Sequence, residues 1–222
     1  MSQRVYTGPR SDRRRGRSRL VLALPWLLAL ATIGLMVAFP LVHDTARRDV
    51  TVAVVVTYFL ASTVHAWVWR GLGWTVGFVV IGVGGGLAVE VLGLRTGFPF
   101  GDYAYGAALG RTVFGVPWVV PLAWAMVAYP SLVAARRVAR SPFVVPVLGG
   151  IALAGWDLFL DPMMTAEGYW HYTAPSYQLP HVGAVAGVDY LGWLVAGIVM
   201  MALLDRLPRR IVPEGQPALL FF

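Results

Sequence analysis

Six apolar runs divide the chain: Leu20–Val42, Val50–Trp69, Leu72–Leu94, Val113–Ala134, Pro142–Asp161 and Gly183–Leu204. Each is about the length an α-helix needs to cross a hydrocarbon core about 30 Å thick. The pattern predicts an all-α fold, a polytopic transmembrane bundle of about six helices. Residues 1–19 form an Arg-rich cytoplasmic tail, 20–205 the transmembrane helical domain, and 206–222 a short cytoplasmic tail. An Arg-rich head and Ala29-Leu30-Ala31 give the first run some likeness to a cleavable signal peptide. It continues to Val42, however, beyond the length of a signal core, and is read as a membrane span.

Polar residues inside the runs fall on particular faces. Gly82, Gly86 and Glu90 are spaced four apart, so Glu90 shares a helix face with two small residues that admit a close neighbour. Gly150, Ala154, Asp157 and Asp161 repeat this arrangement, and Asp189, Trp193 and Ala196 form a similar face. Glu90 and Asp157 are expected about one turn, roughly 6 Å, from the outer ends of their helices, with Asp189 a little deeper. An acid at the middle of a span costs roughly 2.5–3.5 kcal/mol on insertion scales, and less toward the ends. Three acids on three helices in one layer therefore point to a use inside the bundle. The structural alternative is that they pair with Arg95, Arg111 or backbone and glue helices together.

Composition agrees with a membrane class: 58% of residues are hydrophobic and 13% charged. The chain has no Cys, which excludes disulfides, thiol catalysis and Cys-ligated metal. The net charge of +7 is carried by Arg alone. Fourteen Arg fall in segments that are cytoplasmic if the N-terminus is inside: seven from Arg4 to Arg19, then Arg70, Arg136, Arg137, Arg140, Arg206, Arg209 and Arg210. Four, namely Arg47, Arg48, Arg95 and Arg111, fall in the opposite loops. The positive-inside rule thus places both termini in the cytoplasm, with the protein in the cytoplasmic membrane. The basic charge is read as orientation and lipid contact, with no nucleic-acid partner. The acids Asp44, Asp49, Glu90, Asp102, Asp157, Asp161, Glu167 and Asp189 gather toward the outer side, and candidate chemistry is expected there.

Two outer loops stand out. Gly93 to Tyr105 brackets Phe98, Phe100, Tyr103 and Tyr105 with glycines, a composition suited to a compact cap over an interhelical cavity or to an interfacial aromatic girdle. Asp161 to His181 carries Glu167-Gly168-Tyr169-Trp170-His171-Tyr172 and is expected to cover the same opening. Asp161, Glu167, His171 and His181 match no compact ligand spacing, so no metal site is expected. His65, on a face with Tyr58, Ser62 and Trp69, reads as an interhelical hydrogen bonder.

The stretch from Glu90 through Gly93, Thr96-Gly97, Pro99-Phe100-Gly101, Tyr103 and Tyr105 resembles a signature of the carotenoid biosynthesis membrane protein family, of the carotenoid 1,2-hydratase type. Gly155-Trp156-Asp157, Asp161-Pro162 and Gly168 to Tyr172 resemble a second one, and the likeness extends over about Leu72 to Leu204. It implies addition of water across the terminal C1–C2 double bond of an acyclic carotenoid, without a cofactor. It also leaves room for association with other carotenoid enzymes.

The residues themselves suggest how. A carboxyl in a dry interior can stay protonated and donate to carbon, which suits Asp157 or Glu90. A second, Asp161 or Asp189, would orient water as base. Arg95 is a candidate to hold one acid ionised. Aromatic faces from Trp156, Tyr103, Tyr105 or Trp193 would steady a tertiary cation, and Phe98, Phe100 and Trp170 join them as candidate substrate contacts. The water-insoluble substrate is expected to enter from the surrounding lipid. Alternatives are an acid-catalysed carotenoid cyclase, a non-enzymatic carotenoid- or lipid-binding or transport protein, and a prenyltransferase using Asp157-x-x-x-Asp161 for Mg²⁺ and diphosphate.

Overall fold

The computed structural model describes residues 19–173 and 185–208. The N-terminal Arg cluster before Arg19, His181, Arg209, Arg210 and most of the C-terminal tail lie outside them. Among the described residues, six helices are long and apolar enough to cross a membrane. They are α1 (Arg19–Ala38, extended by a 3-10 turn Phe39–Leu41), α2 (Asp44–Arg70), α3 (Leu72–Thr96), α4 (Val119–Val138), α5 (Val144–Ala166) and α6 (Gly187–Arg206). The protein is an all-α integral membrane protein in which strands are minor.

Helix α4 is the axis of the bundle. In its most apolar window 78% of residues are buried, against at most 39% in any other span. It packs on α2, α3, α5 and α6, while α1 lies against α2 at the periphery. Small residues set these approaches. Gly82 faces Ala125 and Gly86 faces Trp124; a Cβ on Gly86 would lie 2.7 Å from the Trp124 Cβ. Gly150 meets the backbone of Ile198 on α6 in the same way. With lipid on the outside, close backbone packing of this kind holds helices together where water cannot drive them. A π-helical turn, Val80–Gly84, interrupts α3 within its glycine-rich middle.

Several boundaries differ from the apolar pattern. The fourth run was expected from Val113, yet α4 starts at Val119. Thr112–Val113 (β2) instead pairs antiparallel with Val116–Pro117 (β3), ahead of the helix. Phe114 (φ 53°) and Gly115 (φ 91°) make the two-residue turn, both with the positive φ that a type I′ hairpin requires. Helix α5 runs to Ala166, past Pro162, five residues beyond the Asp161 at which the fifth apolar run ends. Met164 is buried on that added turn and anchors it. Helix α2 starts at Asp44, so Arg47 and Arg48 sit in its opening turns rather than in a loop.

The two informative loops meet in a small β-ribbon. Tyr103–Tyr105 (β1) pairs antiparallel with Trp170–Tyr172 (β4), with Tyr103 opposite Tyr172 and Tyr105 opposite Trp170. Alternation along a strand puts these four aromatic side chains on one face. His171, one residue out of phase, is exposed.

Candidate functional site

Beneath the ribbon lies a cavity of about 860 Å³. Its wall is mostly apolar and aromatic, and the acids Glu90, Asp161 and Asp189 open onto it. Each comes from a different helix, α3, α5 and α6, and all three are buried. Asp157 is also buried but lines no part of the cavity. It belongs to a cluster with Asp161 and Asp189, in which one carboxylate oxygen of each lies within 4.8 Å of the others.

The depth expected for two of these acids is corrected by the helix ends. Asp157 sits nine residues before Ala166, roughly 13 Å below the end of α5, because that helix is longer than its apolar run. Asp189 lies in the first turn of α6, because that helix begins at Gly187 and not at Gly183. An acid in a first turn is favoured by the helix dipole. The cluster is formed by α5 and α6 running side by side in opposite directions, not by equal depths along parallel scales.

The ribbon supplies the acids with donors. Tyr103 and Tyr105 both donate to Glu90 Oε2, at 2.6 and 2.7 Å. Trp124 Nε1 on α4 donates to Glu90 Oε1 at 2.8 Å. Tyr172 donates to Asp161 Oδ2 at 2.8 Å, and Trp170 Nε1 donates to Asp161 Oδ1. Both oxygens of Glu90 and both of Asp161 therefore accept at least one hydrogen bond. Both Asp157 oxygens and Asp189 Oδ2 are buried and receive none from a described donor. Burial in this setting, together with the neighbouring carboxylates, pushes the hydroxyls of Tyr103, Tyr105 and Tyr172 well above the ordinary phenol value. They remain neutral donors.

Aromatic rings complete the wall. Trp124 and Trp193 stack in parallel, with centroids 3.8 Å apart and planes at 3°. Phe100 leans on both and on Tyr103. The loop that carries Phe100 can reach this seat because Gly192 is bare: a Cβ there would lie 2.7 Å from the Pro99 carbonyl oxygen.

Of the residues singled out by sequence, the structure brings Glu90, Asp161, Asp189, Phe100, Tyr103, Tyr105, Trp156, Trp170 and Trp193 to one cavity. It does not bring Arg95 or Phe98 there. Both are exposed on the surface, Phe98 at 67%, and the donors to Glu90 are neutral rather than an Arg. Trp124 and Tyr172 were missed as acid partners. The only signal for Trp124 is its position on an apolar helix, and for Tyr172 its two-residue offset from Trp170.

The three clustered aspartates offer oxygen ligands of the kind a hard divalent cation takes. The loop set Asp161, Glu167, His171 and His181 does not converge in this way: Glu167 is engaged by Arg47 at 2.7 Å, His171 is exposed, and His181 is outside the described residues. Among the described residues no Arg or His lines the cavity, so a diphosphate held there would lack counter-charges.

Fold and site together define a helical membrane protein with a largely apolar cavity into which buried acids open. The chain belongs to the carotenoid biosynthesis protein family, whose model matches residues 49–218. It is also 32% identical over 124 residues to the bisanhydrobacterioruberin hydratase of Haloarcula japonica, covering 53% of this chain and 40% of that protein. No solved structure matches.

Proposed function

We propose that the protein is a cofactor-independent hydratase that adds water across the terminal C1–C2 double bond of an acyclic carotenoid. The observation that carries this reading is the clustered carboxyls at the wall of an apolar, aromatic cavity. Hydration of an isolated alkene needs a proton donor, support for a tertiary cation, and a base for water; all three have candidates within this cavity.

Asp189 opens onto the cavity and has an oxygen with no donor, so it is assigned as the acid. It gives its proton to C2, and the electron pair of the double bond forms the new C–H bond, leaving the charge on tertiary C1. The rings of Tyr103, Tyr105 and the Trp124–Trp193 stack lie around the pocket, where each face is worth roughly 0.5–2 kcal/mol to a cation. The Glu90 carboxylate, fixed by three donors, adds a set negative charge. A water oxygen bonds to C1, and its surplus proton passes to Asp161, which Trp170 and Tyr172 hold in position. Asp161 and Asp189 belong to the same cluster, with Asp157 beside them, so the proton returns to Asp189 within it. The sum is one water added, with no change of oxidation state.

This reading departs from the sequence expectation in three respects. Glu90 becomes an electrostatic anchor, since its oxygens are occupied as acceptors. Asp157 becomes a proton relay behind the wall. Asp189, expected as a base for water, becomes the acid. Expression in cells that accumulate an acyclic carotenoid is expected to yield tertiary-alcohol end groups. Asp189→Asn and Asp161→Asn are expected to abolish them, with membrane levels of the protein unchanged. Cyclic end groups would identify a cyclase, and unaltered pigment from the unsubstituted chain would refute the hydratase assignment.

A further inference from the structure

The cavity has a side entrance, and its frame can be named. Helices α2 and α5 both pack on α4 and flank a gap between them. At the ribbon end the gap is bridged by the Arg47–Glu167 ion pair (2.7 Å) and by the hydroxyls of Thr51 and Tyr169 (3.2 Å). Toward the other end it is bridged by the edge-to-face contact of Tyr58 with Trp156, centroids 6.2 Å apart. Between these two bridges α2 presents Thr51, Val54 and Val55 to the cavity, and α5 presents Trp156, Phe159, Leu160 and Met163. On α2 seven residues separate Thr51 from Tyr58, a height of roughly 10 Å between the nearer bridges.

Phe159 is 82% exposed and Met163 41% exposed, yet both line the cavity. A residue that is both wall and outer surface marks a mouth. This mouth lies on the flank of a membrane-spanning bundle, where the neighbouring medium is hydrocarbon. Asp161, Asp189 and the ribbon aromatics line the same cavity. Cavity lining also continues away from the ribbon to Ala134 of α4, fifteen residues from Val119, or roughly 22 Å.

We propose that the α2–α5 gap is a lipid-facing doorway through which a linear polyene enters tip first, its reactive end at the acid cluster and its remaining length along the groove toward Ala134. The occupant is a long, narrow isoprenoid chain with an acyclic head. Phe159 stands at the threshold. The proposal rests on the hydratase reading for the identity of the reactive end, but pigment uptake is separable from conversion.

The chain has no Cys, so one introduced thiol can be modified alone. Phe159→Cys is placed in lipid nanodiscs with an acyclic carotenoid, before and after reaction with a bulky lipid-soluble maleimide. Leu191→Cys, on the exposed surface of α6 and no part of the cavity wall, is the control. Bound pigment is read by its absorption band after the discs are purified away from free carotenoid in excess lipid. Modification at Phe159→Cys is expected to lower uptake by about tenfold, and modification at Leu191→Cys to leave it unchanged. Gly155→Phe provides a second plug: Gly155 lines the cavity, and a Cβ there meets nothing within 4 Å, so a side chain can leave the backbone at this position. Uptake that survives both plugs overturns the doorway. Uptake that is blocked by the plugs but never leads to hydration in the open protein upholds the doorway and overturns the hydratase reading instead.

Discussion

Glu90 shows how a single buried acid is made tolerable. Its carboxylate accepts from two phenols and an indole, none of them charged. Neutral donors satisfy its lone pairs without placing a positive charge in the cavity wall. Removing the Trp124 N–H takes away the donor to Oε1 and leaves that buried oxygen unmet, at a cost of roughly 1–3 kcal/mol. Trp124→Phe keeps a ring in the stack with Trp193 but deletes the indole N–H. It is expected to lower unfolding stability in detergent by that amount and to reduce turnover while sparing membrane insertion; stability equal to the parent chain would show that the bond contributes nothing. The residue scale is also where sequence reading reached its limit. Four-residue spacing in α3 correctly turned Glu90 inward, but no spacing rule links position 90 to position 124 on another helix.

At the scale of elements, the β-ribbon joins two loops separated by more than sixty residues. Its period of two delivers Tyr103, Tyr105, Trp170 and Tyr172 to the acids and leaves His171 outside. The three tyrosines are pushed upward from the usual phenol value of about 10. A group whose folded value is raised favours folding below its unfolded value, and that contribution falls away as pH climbs through the folded one. Stability is therefore expected to hold up to about pH 10 and to decline beyond it, as phenols ionise in unfolded chains but not in the folded protein. Thermal unfolding in detergent as a function of pH measures this. The triple substitution Tyr103→Phe, Tyr105→Phe, Tyr172→Phe is expected to start from lower stability and to show a shallower alkaline decline. An unchanged slope would mean that these phenols are not the groups responsible.

For the whole molecule, the bundle is polarised. The acid cluster and the ribbon gather at one end, and at the other Arg136 on α4 pairs with Asp205 on α6 at 2.7 Å. Together with fourteen Arg assigned to one side and four to the other, this leads us to propose that the ribbon end faces away from the cytoplasm, with both termini inside. Phe114, exposed at the tip of the β2–β3 turn on the ribbon side, reports the orientation. Phe114→Cys is expected to react with a membrane-impermeant maleimide added to intact cells, and Val138→Cys, exposed at the opposite end of α4, only after lysis. The reverse pattern would invert the proposed topology. The layout would bring the substrate from the membrane interior and leave its new hydroxyl near the headgroups.

The sequence by itself determined that the chain is a bundle of six membrane helices and which of its acids turn inward. Hydrophobic length and helical period are local properties, and each is written within a single span. It also carried the family, through the motifs around Glu90 and Asp157. Only the tertiary structure decided which acids meet, that Asp157 stands behind the wall while Asp189 opens onto the cavity, and that Arg95 and Phe98 point away. Those outcomes depend on where helices end and how antiparallel neighbours align. Ends were disguised here by a Pro inside α5 and by a Phe-Gly turn ahead of α4, and alignment is set by glycine-to-backbone contacts between helices that no single span encodes.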